Sequence, residues 1–181
     1  IPAPGSFVVF HPWSGGFRAH LREWPVERWV EVASGLAEMN ATVLVSGSEA
    51  DAPRSARVAQ AIASSGLRAQ SIAGQPVGAM IPILRGAQLV VGVNTSITHL
   101  ASVVGGPTVM LEGPTSPKRW GLHGPCSTSV CSEFPGCGYV HHGFEFEGQR
   151  EDCMMGVRPA AVIRAANDLL APRRDSIPAP V

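Results

Sequence analysis

Asn94, Thr95 and Ser96 stand together in the stretch Val91-Gly-Val-Asn-Thr-Ser-Ile-Thr-His-Leu-Ala101, between an apolar run and a segment with helical spacing. Such a turn suits an anion, because a helix start carries unpaired N–H donors and a partial positive charge. One of the three would serve as a helix cap; the set points to a ligand that carries phosphates. His99, one turn further on, is either a structural histidine or a group turned towards that anion. Three more polar or glycine-rich loops follow apolar runs: His11-Pro-Trp-Ser-Gly-Gly16, Ser46-Gly-Ser-Glu-Ala-Asp51 and Gly113-Pro-Thr115. Ser14 and Gly15 alone read as ordinary loop and Arg22 alone as a solvated charge. Convergence of four loops on one rim is what favours a phosphate cradle. The chain has neither Gly-x-Gly-x-x-Gly nor Gly-x-x-x-x-Gly-Lys-Ser/Thr, which speaks against an ordinary dinucleotide or P-loop site.

The elements that would position these loops alternate. Apolar runs over 6–11, 41–45, 67–73, 88–93 and 107–111 read as strands, with a short further strand over 127–131. Helical spacing covers 25–39, where positions 26, 29, 30, 33 and 37 share a face, then 51–65, 77–86, 97–104 and 159–170. Pro25 suits a first helical turn, and Pro82 predicts a kink. Strand–helix alternation with short connections predicts an α/β fold, a Rossmann-like parallel sheet with helices on both faces. Its ligands would lie at the carboxyl ends of the strands, where the four loops collect. Residues 116–157 break the rhythm and read as an irregular Cys/His-rich segment.

The chain has 181 residues, 45% of them hydrophobic, with 14 basic against 14 acidic side chains. That predicts one domain over residues 6–171, with Pro/Ala-rich linkers or tails over 1–5 and 172–181. The balanced charge gives no footprint for nucleic acid. No apolar run reaches the roughly 18–20 residues of a membrane span, so no transmembrane segment is expected. The start lacks a signal-peptide pattern, and a cytoplasmic location is the expectation.

In their order, His11-Pro-Trp-Ser-Gly, Arg22-Glu-Trp-Pro25, Gly47-Ser-Glu-Ala-Asp51, Ala73-Gly-Gln75, Asn94-Thr-Ser-Ile-Thr-His-Leu-Ala101 and Gly113-Pro-Thr-Ser-Pro117 resemble the C-terminal half of the heptosyltransferase family, glycosyltransferase family nine. The resemblance covers roughly residues 6–170. It implies one half of a GT-B glycosyltransferase: the half that binds a nucleotide sugar, ADP-heptose or similar, for inverting, metal-independent transfer to a lipopolysaccharide-core acceptor. The acceptor site and catalytic base would belong to an N-terminal acceptor domain, so no catalytic residue and no cofactor is expected here. Peripheral contact with the inner membrane would also come through that half. By position, the resemblance sets Ser14, Gly15, Arg22, Asn94, Thr95, Ser96 and His99 against phosphates and sugar, Asp51 at the ribose, Gln75 near the base, and Gly113, Pro114 and Thr115 on the rim. The usual family pattern is Asp-Thr-Gly where this chain has Asn94-Thr95-Ser96. Arg22 replaces a usual Lys, which favours a bidentate grip on phosphate, and Trp13 replaces a common Gly.

Cys126, Cys131, Cys137 and Cys153 fall in the irregular segment near His123, His141 and His142. No Cys-x-x-Cys pair is present, so reduced, partly buried thiols are the expectation and a zinc site on these four the alternative. The competing functional readings are a non-catalytic Rossmann-like binding module, motivated by Asn94 and Ser96, and a Cys/His metal module.

Overall fold

The computed structural model describes residues 2–4 and 6–171. The expected tail over 172–181 and part of the expected linker over 1–5 lie outside the described residues. Six parallel strands form one sheet: β1 (Phe7–His11), β2 (Thr42–Val45), β3 (Ala69–Ser71), β4 (Leu89–Val93), β5 (Thr108–Glu112) and β6 (Ser127–Cys131). Their order, β3-β2-β1-β4-β5-β6, reverses direction between β1 and β4, where Phe10 pairs with Val91 and His11 with Gly92. A crevice opens at such a switch point, outside the carboxyl ends of the strands.

The central strands are apolar throughout because both of their faces are covered. Val8 and Phe10 point to one side, where α1 (Val26–Gly35), α2 (Ala52–Ser64) and α6 (Pro159–Leu170) add Trp29, Val32, Val58, Ile62, Val162 and Ala166. Phe7 and Val9 point to the other, against Met80, Ile83 and Leu84 of α3 (Val77–Gly86) and Ala101 of α4 (Ser96–Val103). Each fully buried Phe, Leu or Val contributes about 1.5–3 kcal/mol to this sandwich. Pro82 sits inside α3 and does not end it. The helix expected over 25–39 is α1 followed by a separate 3-10 turn, Ala37–Met39.

Two glycines set the distances on which the crevice depends. A Cβ on Gly92 would fall 2.3 Å from Thr98 Oγ1, so the glycine lets α4 lie close over β4. A Cβ on Gly47 would meet Trp13 Cδ1 and Asp51 Cβ, both at 2.8 Å. The irregular segment also has more form than its composition suggests. It contains a short helix, α5 (Pro117–Trp120), and a 3-10 turn, Cys153–Gly156. Trp24 Nε1 donates to Met154 O at 2.8 Å, and Arg28 donates to the carbonyls of Met155 and Val157, so α1 and the residues leading into it hold that turn against the body. Among the described residues no helix is long and apolar enough to cross a membrane.

Candidate functional site

Two cavities lie side by side along the carboxyl ends of the strands. The first, of about 480 Å³, is lined by His11 at the end of β1 with Trp13, Ser14 and Gly15 after it, Ser46 to Glu49 and Asp51 after β2, Gly74 to Pro76 before α3, Val77 and Met80 of α3, and Thr95 to Ile97. The second, of about 420 Å³, is lined by Gly15, Arg22, Asn94, Thr95, Ser96, His99, Thr115, Trp120, Val140, His142 and Gly143. They share Gly15, Thr95 and Ser96, so they meet at the start of α4.

The first cavity is held by a charged network. Glu23 Oε1 accepts from the Ser14 N–H at 2.9 Å, and Glu23 Oε2 pairs with Arg54 Nη1 at 2.8 Å. Arg54 also binds Asp51 Oδ1 through Nε and Nη2 and lies 4.0 Å from the centre of the Trp13 ring. Asp51 Oδ2 accepts from the N–H and hydroxyl of Ser48 in a reciprocal capping box. Desolvation pushes the Asp51 carboxyl up, but the hydrogen bonds from Ser48 and Arg54 outweigh it and hold it below its ordinary value. His11 Nδ1 lies 2.8 Å from Ser46 Oγ, and burial lowers its pKa to about 4, keeping the ring neutral.

The shared boundary suits an anion. Thr95 is the N-cap of α4 and makes no side-chain hydrogen bond into the first turn. Arg22 donates to Gly15 O, and its Nε is buried with no hydrogen-bond partner. Burial lowers the Arg22 pKa, against a smaller opposing effect of Glu23. An unpartnered buried donor on a cation is costly; Arg22 also lines the second cavity, where its charge would attract an anion.

Asn94 lines the second cavity. It is not the helix cap, and its polar atoms turn inward: Nδ2 donates to Glu112 Oε2 at 2.9 Å, while Oδ1 lies 3.3 Å from His99 Nε2. Of the other expected residues, Ser14 and Gly15 line the first cavity, but Glu23 already uses the Ser14 N–H. Asp51 and Gln75 line the same cavity, and Thr115 lines the second. Gly113 and Pro114 lie behind the wall, where their carbonyls accept from the N–H groups of Gly138 and Val140 and fix the loop opposite α4.

The cysteines require a correction. Cys137 and Cys153 form a disulfide, so the expectation of four reduced thiols fails for this pair. The zinc alternative loses two of its four ligands in the same bond. Among the described residues no group of three or more His, Cys, Asp or Glu is placed to hold a metal ion. Spacing alone could not reveal the pairing, because the partners meet through tertiary contacts of the 3-10 turn. The sequence reading also missed Glu23, Arg54, Glu112 and Glu145. Glu145 accepts from the N–H groups of His141, His142, Gly143 and Phe144 and thereby shapes the second cavity's loop.

A family model described as glycosyltransferase family 9 (heptosyltransferase) matches residues 3–141. Lipopolysaccharide heptosyltransferase 1 of Pseudomonas aeruginosa is 34% identical over 116 residues, which are 63% of this chain and 31% of that protein. The protein of the same name from Escherichia coli K12 is 28% identical over 104 residues, 57% of this chain and again 31% of the relative. The matches thus span about a third of the curated relatives' length. Among solved structures, the E. coli ADP-heptose lipopolysaccharide heptosyltransferase II superposes with a TM-score of 0.73 at 18% identity, covering 94% of this chain and 48% of its own. An E. coli heptosyltransferase solved with ADP gives 0.69 at 19%, covering 92% and 45%. The fold is therefore one Rossmann-like lobe of the GT-B architecture, and the chain belongs to glycosyltransferase family 9, the heptosyltransferases.

Proposed function

We propose that residues 6–171 are the C-terminal, donor-binding half of an inverting, metal-independent glycosyltransferase. The donor is a nucleoside-diphosphate sugar such as ADP-heptose. Its nucleoside occupies the first cavity, with Asp51 towards the ribose and Gln75 towards the base. Its diphosphate lies at the start of α4 beside Gly15, Thr95, Ser96 and Arg22, and its sugar enters the second cavity beside His99 and Thr115. Arg22 and the helix start supply the positive charge that a cation would otherwise bring to the leaving diphosphate. The acceptor, a lipopolysaccharide core, and the base that activates it belong to an N-terminal half, through which a cytoplasmic enzyme would contact the inner membrane. The isolated domain binds donor and does not transfer sugar.

The observation that carries this reading is the meeting of the two cavities at the start of α4, with Arg22 lining the second. ADP titrated into ¹⁵N-labelled protein is expected to shift the amides of Gly15, Arg22, Thr95, Ser96 and His99, and AMP to shift them less. Arg22→Ala should weaken ADP by about tenfold, the scale of one charge-assisted hydrogen bond. Absence of any shift with millimolar ADP or another nucleoside diphosphate would overturn the reading.

One observation favours a second reading, a binding module without catalysis. Both polar ends of the Asn94 carboxamide have partners within the protein, which leaves the sugar one lone pair of Oδ1 at most. Sugar transfer or nucleotide-sugar hydrolysis by the chain joined to its N-terminal half would remove that alternative.

A further inference from the structure

At the end of β5, Glu112 is 1% exposed, with Cys131 of β6 as its register partner. Three donors converge on its carboxyl group: Thr115 Oγ1 at 2.5 Å, Asn94 Nδ2 at 2.9 Å and Ser129 Oγ at 3.5 Å. Among the described residues no cation pairs with it. Burial raises its pKa despite the hydrogen bonds from Thr115, Asn94 and Ser129. The phosphate reading gives this group no part, since its oxygens face into the protein.

Its chemistry dictates which way Asn94 turns. An ionised carboxylate only accepts, and a protonated one keeps an accepting oxygen. Either form can therefore accept from the NH₂ end of the Asn94 amide, and that end is the one that meets Oε2. The other end, Oδ1, then faces His99 Nε2 at 3.3 Å. A carbonyl oxygen only accepts, so Nε2 must carry the hydrogen. Burial lowers the His99 pKa, with a smaller effect of His123 in the same direction, which favours the neutral ring.

We propose that Glu112 is a positioning residue, which through Asn94 holds His99 as the neutral tautomer with hydrogen on Nε2 and Nδ1 left as an acceptor. His99 lines the second cavity. An acceptor nitrogen takes a hydrogen bond from a hydroxyl and offers none to an ionised phosphate oxygen. Resting on the donor-binding reading, this gives His99 to a hydroxyl of the donor sugar and leaves the diphosphate to Arg22 and the start of α4. The tautomer itself does not depend on that reading.

Long-range ¹H–¹⁵N spectra of the free, ring-labelled protein test the relay, together with hydrogen exchange of the Asn94 side-chain NH₂. The parent protein should show Nε2–H and an unprotonated Nδ1. Glu112→Gln keeps an accepting oxygen and should keep both the tautomer and slow NH₂ exchange. Glu112→Leu should speed that exchange at least tenfold and move the Nδ1 signal towards that of an unconstrained ring. Should the leucine variant not fold, Asn94→Ala breaks the relay while leaving Glu112 in place, and the same Nδ1 movement is expected. Hydrogen on Nδ1 in the parent, or an unmoved His99 signal in a folded Glu112→Leu or Asn94→Ala protein, would overturn the proposal. ADP binding is a separate measurement, so its failure with the tautomer intact would count against the donor reading alone.

Discussion

The two cavities share a boundary but are walled by different means. The first stands on the ends of β1 and β2, and its loops are short. Arg54, Glu23, Asp51 and Ser48 bind one another beside it, and Arg54 lies over the ring of Trp13 in its wall. The second has α4 on one side and an irregular loop on the other. That loop keeps its shape through the N–H groups gathered by Glu145, the carbonyls of Gly113 and Pro114, the contact of Tyr139 with Phe146, and one disulfide. Regular elements thus fix one side of the site, whereas side-chain clasps fix the other.

The largest expected effect separates the two walls directly. Cys137 and Cys153 lie 16 residues apart, and loss of a crosslink of that span costs roughly 3 kcal/mol by chain entropy. The double variant Cys137→Ser/Cys153→Ser should unfold at correspondingly lower denaturant. Its amides over 138–152 should exchange faster, while those over 46–51 keep their protection. Equal loss of protection on both sides would mean that the walls are one cooperative unit and would break the comparison.

A second expectation concerns the first cavity alone. His11 has a pKa of about 4 in the folded protein against an ordinary 6.5, because burial disfavours its charged form. The unfolded chain therefore takes up a proton below pH 6.5 that the folded chain refuses until about pH 4. Stability present above pH 6.5 is lost as pH falls through this window, by up to roughly 3 kcal/mol. Urea unfolding of the parent should show this acid limb, and His11→Asn should flatten it. A limb of unchanged slope in the variant would assign the proton uptake elsewhere.

What the sequence made legible follows the same division. β1, β4 and β5 stood out because burial on both faces demands uninterrupted apolar runs, and α4 because its polar start interrupts one. The loops after β1 and β2 were readable for the same reason, being set by the strands before them. Glu112 was not legible: it follows an apolar run and looks like a solvated strand end, and Asn94, the donor that makes it a core residue, is 18 positions away. The cysteines misled because the expected compartment argued against a disulfide, while their pairing depends on Trp24 and Arg28 holding the 3-10 turn in place. Local pattern encodes elements, and it encodes a clasp only when both partners are neighbours, as with Ser48 and Asp51.

The smallest expected effect belongs to the second cavity and has the opposite sign in pH. Burial raises the Glu112 pKa, so above the ordinary Glu value of about 4.3 the folded protein keeps a proton that the unfolded chain has released. In that window the folded state binds more protons, and stability falls as pH rises. Glu112→Gln retains an accepting oxygen for Asn94 and Thr115 but has no proton to lose. Relative to the parent, the variant should gain stability steadily as pH rises through the window, with the gap closing on the acid side. Urea midpoints of both proteins across that range measure the gap, and a difference independent of pH would mean that Glu112 does not titrate there. Falling pH would then strain the cavity built on His11 and rising pH the one built over Glu112, so one pH series read on the parent and both variants tells the two walls apart.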